Sequence, residues 1–206
     1  MDNASVMTDA RRHSPAAERN GPPILAALQR LLPATGVLLE IASGTGQHAA
    51  FCSAGLAGWQ WQPSDFDAGA LPSIAAWCDG LVRVRPPITL NVLDETWPGV
   101  PAQVDAIYCA NMIHIAPWAC TAGLMRGAAR HLAPHGLLIT YGPYLLDAEP
   151  TAPSNLAFDA DLRARNPAWG IRRLADVAAE AAAAGLALRE RLDMPANNKL
   201  LAWARA

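Results

Sequence analysis

Two acidic residues and the glycine-bearing turn between them are the features of this sequence best able to bind a polar ligand. Glu40 lies in the apolar run VLLEI (residues 37–41), which is followed by the small residues ASGTG (42–46) and a helical pattern. A strand, a tight turn and a helix N-terminus in this order bring unsatisfied backbone N–H groups close to a ligand. Asp65 ends the next strand-like segment, 25 residues after Glu40. Because a carboxylate repels a pyrophosphate but accepts from hydroxyl and ammonium groups, the pattern favours a nucleoside cofactor that carries an amino acid.

Two cofactor classes fit this turn: S-adenosylmethionine and, second, a nicotinamide or flavin dinucleotide. Gly44-x-Gly46-x-x-Ala49 matches the dinucleotide fingerprint, and Asp65 lies near the distance at which that fingerprint places a ribose-binding acid. Ligands of open α/β sheets bind beyond the carboxyl ends of the strands, so polar residues at successive strand ends favour S-adenosylmethionine. These residues are Glu40, Asp65, Asn91 and Asn111.

Several of these side chains have an expected partner on the cofactor. Asp65 can accept both ribose hydroxyls, or it can cap the next helix, a role that we assign to Asp67. The amide of Asn91 and the backbone N–H of Val92 could contact the adenine edge, and Arg19 could bind the carboxylate or form a surface ion pair. Glu40 could instead form a salt bridge at its strand end. The residues predicted to contact the cofactor are Arg19, Glu40, Ala42, Ser43, Gly44, Gly46, Asp65, Phe66, Asn91, Val92 and Asn111.

Residues after the fourth and fifth predicted strands are candidates to bind a second substrate or to remove a proton from it. His114 has an unperturbed pKa near neutrality and suits a general base, although a structural hydrogen-bonding role fits it equally well. Tyr144 could assist proton removal. Tyr141, Asn155 and Asn197 are predicted to bind the acceptor, or else to pack at the rim and close loops through Asx turns. We expect no metal site, because the sequence has no ligand set for one.

Hydrophobic periodicity predicts the elements that must position these residues. A helix opens at Pro22-Pro23 and stops at Pro33, and apolar runs predict strands at 37–41, 59–62, 88–92, 104–109, 136–141, 186–192 and 199–203. Further helices are predicted from Gly46 for about ten residues and at 67–79, 117–131, 154–165 and 171–184. Strands that alternate with helices imply a three-layer, doubly wound α/β fold with a mostly parallel, seven-stranded sheet. The short loop between the last two strands implies a C-terminal antiparallel hairpin.

Composition limits the partners and the location of the protein. The chain has 206 residues, a formal net charge of −2 and 52% hydrophobic residues, which fits one domain (15–206) after a flexible polar tail (1–14). Nucleic-acid binding is not expected, because it requires a basic surface. The four cysteines have no disulfide-like or metal-like spacing, which indicates a reduced, cytoplasmic protein. No apolar run approaches the roughly 20 residues of a membrane span. A homodimer is compatible with the sequence.

Seven segments resemble the DUF938 family, relatives of methyltransferase-like protein 26 within the class I S-adenosylmethionine-dependent methyltransferase superfamily. They are SPAAERN (14–20), LEIASGTGQH (39–48), WQPSD (61–65), ANMIHI (110–115), YGPY (141–144), APSNLAFD (152–159) and MPANN (194–198). The resemblance implies the class I, Rossmann-like fold and S-adenosylmethionine binding. Two positions depart from the class I pattern. Ala42 stands at the first glycine of E-x-G-x-G-x-G, which a negative φ would tolerate, and Asn91 stands where an acid is common.

The sequence therefore predicts transfer of a methyl group from S-adenosylmethionine to a small-molecule N, O or S nucleophile. The alternatives are an NAD(P)-binding oxidoreductase, a non-catalytic S-adenosylmethionine-binding module on the same fold, and sulfonium chemistry other than methyl transfer.

Overall fold

A sheet of seven strands between two layers of helices forms the centre of the protein. The computed structural model describes residues 9–206, so the first eight residues of the predicted tail lie outside the described residues. The strands are β1 (Gly36–Ile41), β2 (Trp59–Asp65), β3 (Ile88–Thr89), β4 (Val104–Ala110), β5 (Leu132–Gly142), β6 (Tyr144–Leu145), β7 (Arg172–Arg173), β8 (Leu186–Met194) and β9 (Asn198–Arg205). The helices are α1 (Pro15–Leu31), α2 (Gln47–Gly55), α3 (Leu71–Trp77), α4 (Ala119–His131), α5 (Pro153–Arg165) and α6 (Leu174–Ala183).

The strand order places a crevice beside the first strand. The sheet runs β3-β2-β1-β4-β5-β9-β8, with parallel pairs from β3 to β5 and with β9 antiparallel to both β5 and β8. This confirms the predicted α/β fold with its C-terminal antiparallel hairpin. Because the winding direction reverses between β1 and β4, the loops after these two strands diverge and leave room for a ligand at their carboxyl ends.

Alternation along the strands divides the core between the two faces of the sheet. Leu38 lies in one buried cluster with Ile24 of α1 and Trp61 of β2, whereas its neighbour Leu39 lies in another with Leu124 of α4. Helices α1 and α2 therefore cover one face, and α4 and α6 cover the other. Within residues 9–206, no helix is long and apolar enough to cross a lipid bilayer.

The prediction that the first helix opens at Pro22-Pro23 is wrong, because α1 begins at Pro15. Ser14 is the N-cap residue, and its hydroxyl accepts a hydrogen bond from the backbone N–H of Ala17 at 3.3 Å. Pro15 occupies the first turn, where a missing N–H group costs nothing. The pair Pro22-Pro23 lies inside the helix.

The structure also differs from the prediction at the end of β3, in two additional short strands and at the start of α6. β3 ends at Thr89 rather than at residue 92, because the side chain of Asn91 accepts from the backbone N–H of Leu93 and closes a turn. β6 and β7, which pair in parallel as a separate small sheet, were not predicted. β7 occupies the beginning of the predicted helix at 171–184, so α6 begins at Leu174.

Candidate functional site

A cleft of about 500 Å³ opens at the carboxyl ends of β1, β2 and β4. Its lining includes five residues that were predicted to contact a cofactor: Ala42, Asp65, Phe66, Asn91 and Val92. Apolar side chains form the opposite wall, among them Met112, Ile115 and Trp169. A volume of this size and a mostly apolar lining with a few polar groups are typical of small-molecule sites.

Asp65 is the charged group of the cleft, and its carboxylate is held by two backbone donors. Oδ2 accepts from the N–H of Gly44 at 2.8 Å, and Oδ1 accepts from the N–H of Asp67 at 2.9 Å. The carboxylate of Asp67 in turn accepts from the N–H of Gly69 and caps a short 3-10 helix (Ala68–Ala70), as predicted. Each oxygen of Asp65 keeps a lone pair for a ligand, in an orientation that the two N–H groups preset.

Hydrogen bonds inside the turn, and between the turn and β2, fix the conformation of the turn after β1. The N–H of Ser43 donates to the carbonyl of Ser64 at 2.9 Å, and the Ser43 hydroxyl accepts from the N–H of Ser64 at 3.2 Å. The N–H of Gly46 donates to the Ser43 carbonyl at 2.9 Å and closes the turn. Ser43 is buried and does not border the cleft, so its side chain shapes the turn rather than the ligand surface.

Ala42 adopts a φ of +57°, so the condition under which an alanine is tolerated here, a negative φ, is not met. The chain must reverse sharply between β1 and the turn, and the first glycine of the class I pattern serves this purpose. An alanine in the left-handed region brings its Cβ close to the following carbonyl, which costs roughly 1–2 kcal/mol.

Replacing Ala42 with glycine is therefore expected to stabilise the protein. Ala42→Gly should raise the free energy of unfolding by about 1 kcal/mol and the melting temperature by about 3 °C, because relief of the left-handed strain exceeds the added chain entropy. Thermal and urea denaturation measure the change. Ala75→Gly, at an exposed position inside α3, is the matched control and should destabilise by a similar amount. A loss of stability in Ala42→Gly would contradict the strain argument.

Glu40 points away from the cleft, on the face of the sheet covered by α1 and α2. It is buried, it does not border the cleft, and its carboxylate accepts from the indole N–H of Trp61 at 2.8 Å. Burial raises the pKa of Glu40 to about 7, against the lowering effect of the hydrogen bonds from Trp61 and Ser43. Glu40 therefore lies outside the cleft lining, and its contact with a cofactor stays a prediction.

The raised pKa of Glu40 predicts a pH-dependent stability. The folded protein binds this proton more tightly than the unfolded chain, so the stabilisation is complete below about pH 4.5 and is lost as the pH rises through about 7. Relative to Glu40→Gln, the wild type should lose roughly 2–3 kcal/mol of unfolding free energy between pH 5 and pH 8. Urea denaturation at several pH values measures this difference. A difference between Glu40→Gln and the wild type that stays constant with pH would exclude the proposed protonation.

The two asparagines predicted at strand ends differ in what their side chains can offer. Asn91 borders the cleft, but its Oδ1 accepts from the N–H of Leu93 at 3.0 Å and its Nδ2 donates to Asp94 at 3.2 Å. Asn111 does not border the cleft, although its neighbours on both sides do. It lies in the left-handed region at φ +59°, and its N–H donates to the carbonyl of Tyr141 at 2.7 Å. Arg19 is exposed on α1, outside the cleft lining.

The structure does not bring His114 and Tyr144, the two predicted catalytic residues, to the cleft. Both are buried, with their rings edge to face at 5.1 Å. Nδ1 of His114 accepts from the N–H of Arg172 at 3.4 Å, and burial, reinforced by the Arg172 guanidinium, lowers the pKa of His114 to about 3. The Tyr144 hydroxyl donates to Thr140 at 2.9 Å, and burial raises its pKa. Neither side chain borders the cleft, and the catalytic role of the two residues stays a prediction.

The predicted acceptor-binding residues lie elsewhere than in the cleft. Asn155 and Asn197 are brought together, with Nδ2 of Asn155 donating to the Asn197 carbonyl at 3.2 Å. With Tyr144 and Lys199 they border a second cavity of about 80 Å³. Tyr141 is buried in the core between the sheet and α1.

Sequence reasoning missed Trp169 and Arg172. Trp169 borders the cleft from the loop between α5 and β7. The Arg172 guanidinium donates to the carbonyls of Ile113, Ala116 and Ala168 at 2.9, 2.7 and 2.8 Å, and so fastens the Trp169 loop to the segment after β4. A tryptophan in a loop between two predicted helices was the only local signal. Within residues 9–206, no three His, Cys, Asp or Glu side chains are grouped so as to hold a metal ion.

Comparison with known proteins identifies the family of this chain and agrees with its fold. A sequence model of the family described as "Protein of unknown function (DUF938)" matches residues 11–205. The chain belongs to the DUF938 family. The match confirms the family that the sequence motifs had indicated.

Solved structures of similar fold include O-methyltransferases. The mitomycin 7-O-methyltransferase MmcR is 17% identical with a TM-score of 0.78, over 93% of this chain and 54% of its own. An O-methyltransferase family 2 protein from Planctomyces limnophilus, in complex with apigenin, is 18% identical with a TM-score of 0.76, over 93% and 58%. NcsB1 from neocarzinostatin biosynthesis, in complex with S-adenosylmethionine and 2-hydroxy-5-methyl naphthoic acid, is 15% identical with a TM-score of 0.74, over 93% and 55%. At these identities the likeness is one of fold, and this chain spans a little over half the length of each protein.

Proposed function

We propose that this DUF938 protein binds S-adenosyl-L-methionine in the cleft and transfers its methyl group to a small-molecule acceptor. The observation that carries the proposal is Asp65. Its carboxylate borders the cleft at the switch point of the sheet, and the N–H groups of Gly44 and Asp67 hold it with a lone pair free on each oxygen. Two adjacent acceptor oxygens suit the two hydroxyls of a ribose.

The rest of the cleft fits the other parts of this cofactor. Phe66, which is 70% exposed, and the half-exposed Leu93 present apolar surfaces beside Asp65 on which an adenine ring could stack. Ala42, the residue of the turn that borders the cleft, lies where the amino-acid end would bind. Arg19, which is exposed on α1, is the candidate partner for its carboxylate.

Alignment and exclusion of water are the contributions that the chain's own residues make. S-adenosylmethionine supplies, when bound, an electrophilic methyl group on a sulfonium. Met112, Ile115 and Trp169 form an apolar wall that limits water, and Arg172 keeps Trp169 in place. Among the described side chains of the cleft, Cys120 carries a thiol, and burial raises the pKa of this thiol. The proposal does not assign the role of general base to His114 or Tyr144, because neither residue borders the cleft.

The neighbours support a small aromatic acceptor, because the bound ligands named for two of them are apigenin and 2-hydroxy-5-methyl naphthoic acid. Membership of the group around methyltransferase-like protein 26 is part of the same proposal. The second candidate function is a module that binds S-adenosylmethionine without transferring its methyl group, since neither residue predicted to be catalytic borders the cleft.

Calorimetric titration of the full chain with S-adenosylhomocysteine, S-adenosylmethionine and NADH tests the cofactor. Both sulfur nucleosides are expected to bind with micromolar affinity and to raise the melting temperature, whereas NADH should do neither. Binding of NADH alone would refute the proposal. Methyl transfer from labelled S-adenosylmethionine to a panel of aromatic hydroxyl and thiol compounds then separates an enzyme from a binding module.

A further inference from the structure

The segment before α1 is attached to the turn of the cleft through α3. We call residues 9–14 the N-terminal strap. The N–H of Arg12 in the strap donates to the hydroxyl of Ser73 at 2.8 Å, and this hydroxyl donates to the carbonyl of Thr45 at 2.7 Å. Ser73 is buried on α3. A single hydroxyl therefore accepts from the strap and holds a peptide group of the turn between β1 and α2.

A second hydrogen-bonded link runs through Gln47. Its side-chain Oε1 accepts from the N–H of Ser14 at 2.6 Å and from the hydroxyl of Thr45 at 3.0 Å. Gln47 is the first residue of α2 and is buried. Both links end on Thr45, which lies between Gly44, the donor to Asp65, and Gly46.

The strap has anchors that do not involve the turn. The indole N–H of Trp77, at the end of α3, donates to the carbonyl of Arg12 at 2.8 Å. The guanidinium of Arg12 donates to the carbonyl of Gly69 at 2.6 Å, and the guanidinium of Arg11 lies 5.6 Å from the Trp77 ring centroid. Trp77 and Gly69 do not border the cleft. The seating of the strap can therefore be weakened without touching the cofactor turn.

We propose that Ser73 and Gln47 are positioning residues through which the N-terminal strap holds the cofactor turn, so that a seated strap and a bound cofactor favour each other. This inference rests on the proposed function. A strap without regular secondary structure belongs to the least stable part of a fold and opens locally. When it opens, Ser73 and Gln47 each lose the strap N–H group that orients the side chain bonded to Thr45, so the turn must be ordered again on binding, which lowers affinity.

Thermodynamic linkage makes the proposal testable through two quantities, the affinity for the cofactor and the seating of the strap. If the seated strap raises the affinity for the cofactor by some factor, a bound cofactor must favour the seated strap by the same factor. Hydrogen exchange followed by NMR reports this directly, because the N–H groups of Arg12 and Ser14 are the donors of the two links. Saturating S-adenosylhomocysteine is expected to slow the exchange of both amides about five-fold.

Three variants of the full chain separate the strap from general stability. Ser73→Ala removes the shared hydroxyl, and Trp77→Phe removes a strap anchor remote from the turn. Each is expected to raise the Kd for S-adenosylhomocysteine about five-fold. Ser53→Ala is the matched control, because Ser53 is also buried but its hydroxyl donates to Ala50 within α2, and its Kd should stay at the wild-type value.

The outcomes distinguish this inference from the proposed function. Absence of S-adenosylhomocysteine binding to wild type would refute both. Normal binding by wild type together with an unchanged Kd in Trp77→Phe, or with unchanged exchange of the Arg12 and Ser14 amides, would overturn the inference and leave the function intact. If Ser53→Ala weakened binding as much as Ser73→Ala, the effect would be one of stability and the inference would also fall.

Discussion

Asp65→Ala is expected to raise the Kd for S-adenosylhomocysteine by at least about 100-fold, the largest effect on binding of any single change in the cleft. The substitution removes the two charge-assisted hydrogen bonds that we propose Asp65 makes to the ribose, each worth about 1.5–3 kcal/mol. It also releases the N–H of Gly44, which the carboxylate holds at 2.8 Å. Isothermal titration calorimetry measures the loss, and the melting temperature of the ligand-free protein shows whether the fold persists.

Asp67→Asn is the matched control for Asp65→Ala. Asp67 lies two residues away on the same loop, but its carboxylate caps the 3-10 helix through Gly69, a role that asparagine also performs. Its Kd is expected to stay within about two-fold of wild type. Equal losses in both variants would mean that the loop as a whole, and not the Asp65 carboxylate, determines binding.

Among the substitutions proposed here, Gly46→Ala is expected to have the largest effect on stability. Gly46 adopts φ +92°, and an added Cβ would lie 2.6 Å from Cα of Ile74, a backbone atom of α3 that cannot turn aside. Left-handed strain and overpacking together should lower the free energy of unfolding by about 3–4 kcal/mol, and the melting temperature by roughly 10 °C. Cofactor binding should weaken as well, because α3 carries Ser73 against the turn.

Gly80→Ala separates the effect of left-handed backbone strain from the effect of overpacking. Gly80 also has a positive φ, +76°, but nothing lies within 4 Å of an added Cβ. It is expected to lose only about 1 kcal/mol, through backbone strain alone. Urea denaturation of both variants gives the comparison. If the two losses were equal, the close packing of the turn against α3 would not contribute to stability.

The strands could be predicted from the sequence because a buried parallel strand must be apolar throughout. The predicted strands at 37–41 and 104–109 correspond closely to β1 (Gly36–Ile41) and β4 (Val104–Ala110). The local sequence signals failed at the start of α1, where two segments each carry a signal for the beginning of a helix. Both Ser14-Pro15 and Pro22-Pro23 could open a helix, and the earlier pair does so, with Ser14 as cap and as a partner of Gln47.

By itself, the sequence determined the fold class, the family and the part of the candidate site built from local pattern, namely the turn after β1 and Asp65 after β2. These features depend on residues close together in the chain. Only the tertiary structure decided which polar side chains reach the cleft. Glu40 shares a face of β1 with Leu38 and is buried against Trp61, although it stands at a strand end as Asp65 does. His114 is held neutral by burial beside Arg172, and Trp169 completes the wall from far along the chain. Burial and long-range packing set the charge and direction of a side chain, and neither can be read from its neighbours in sequence.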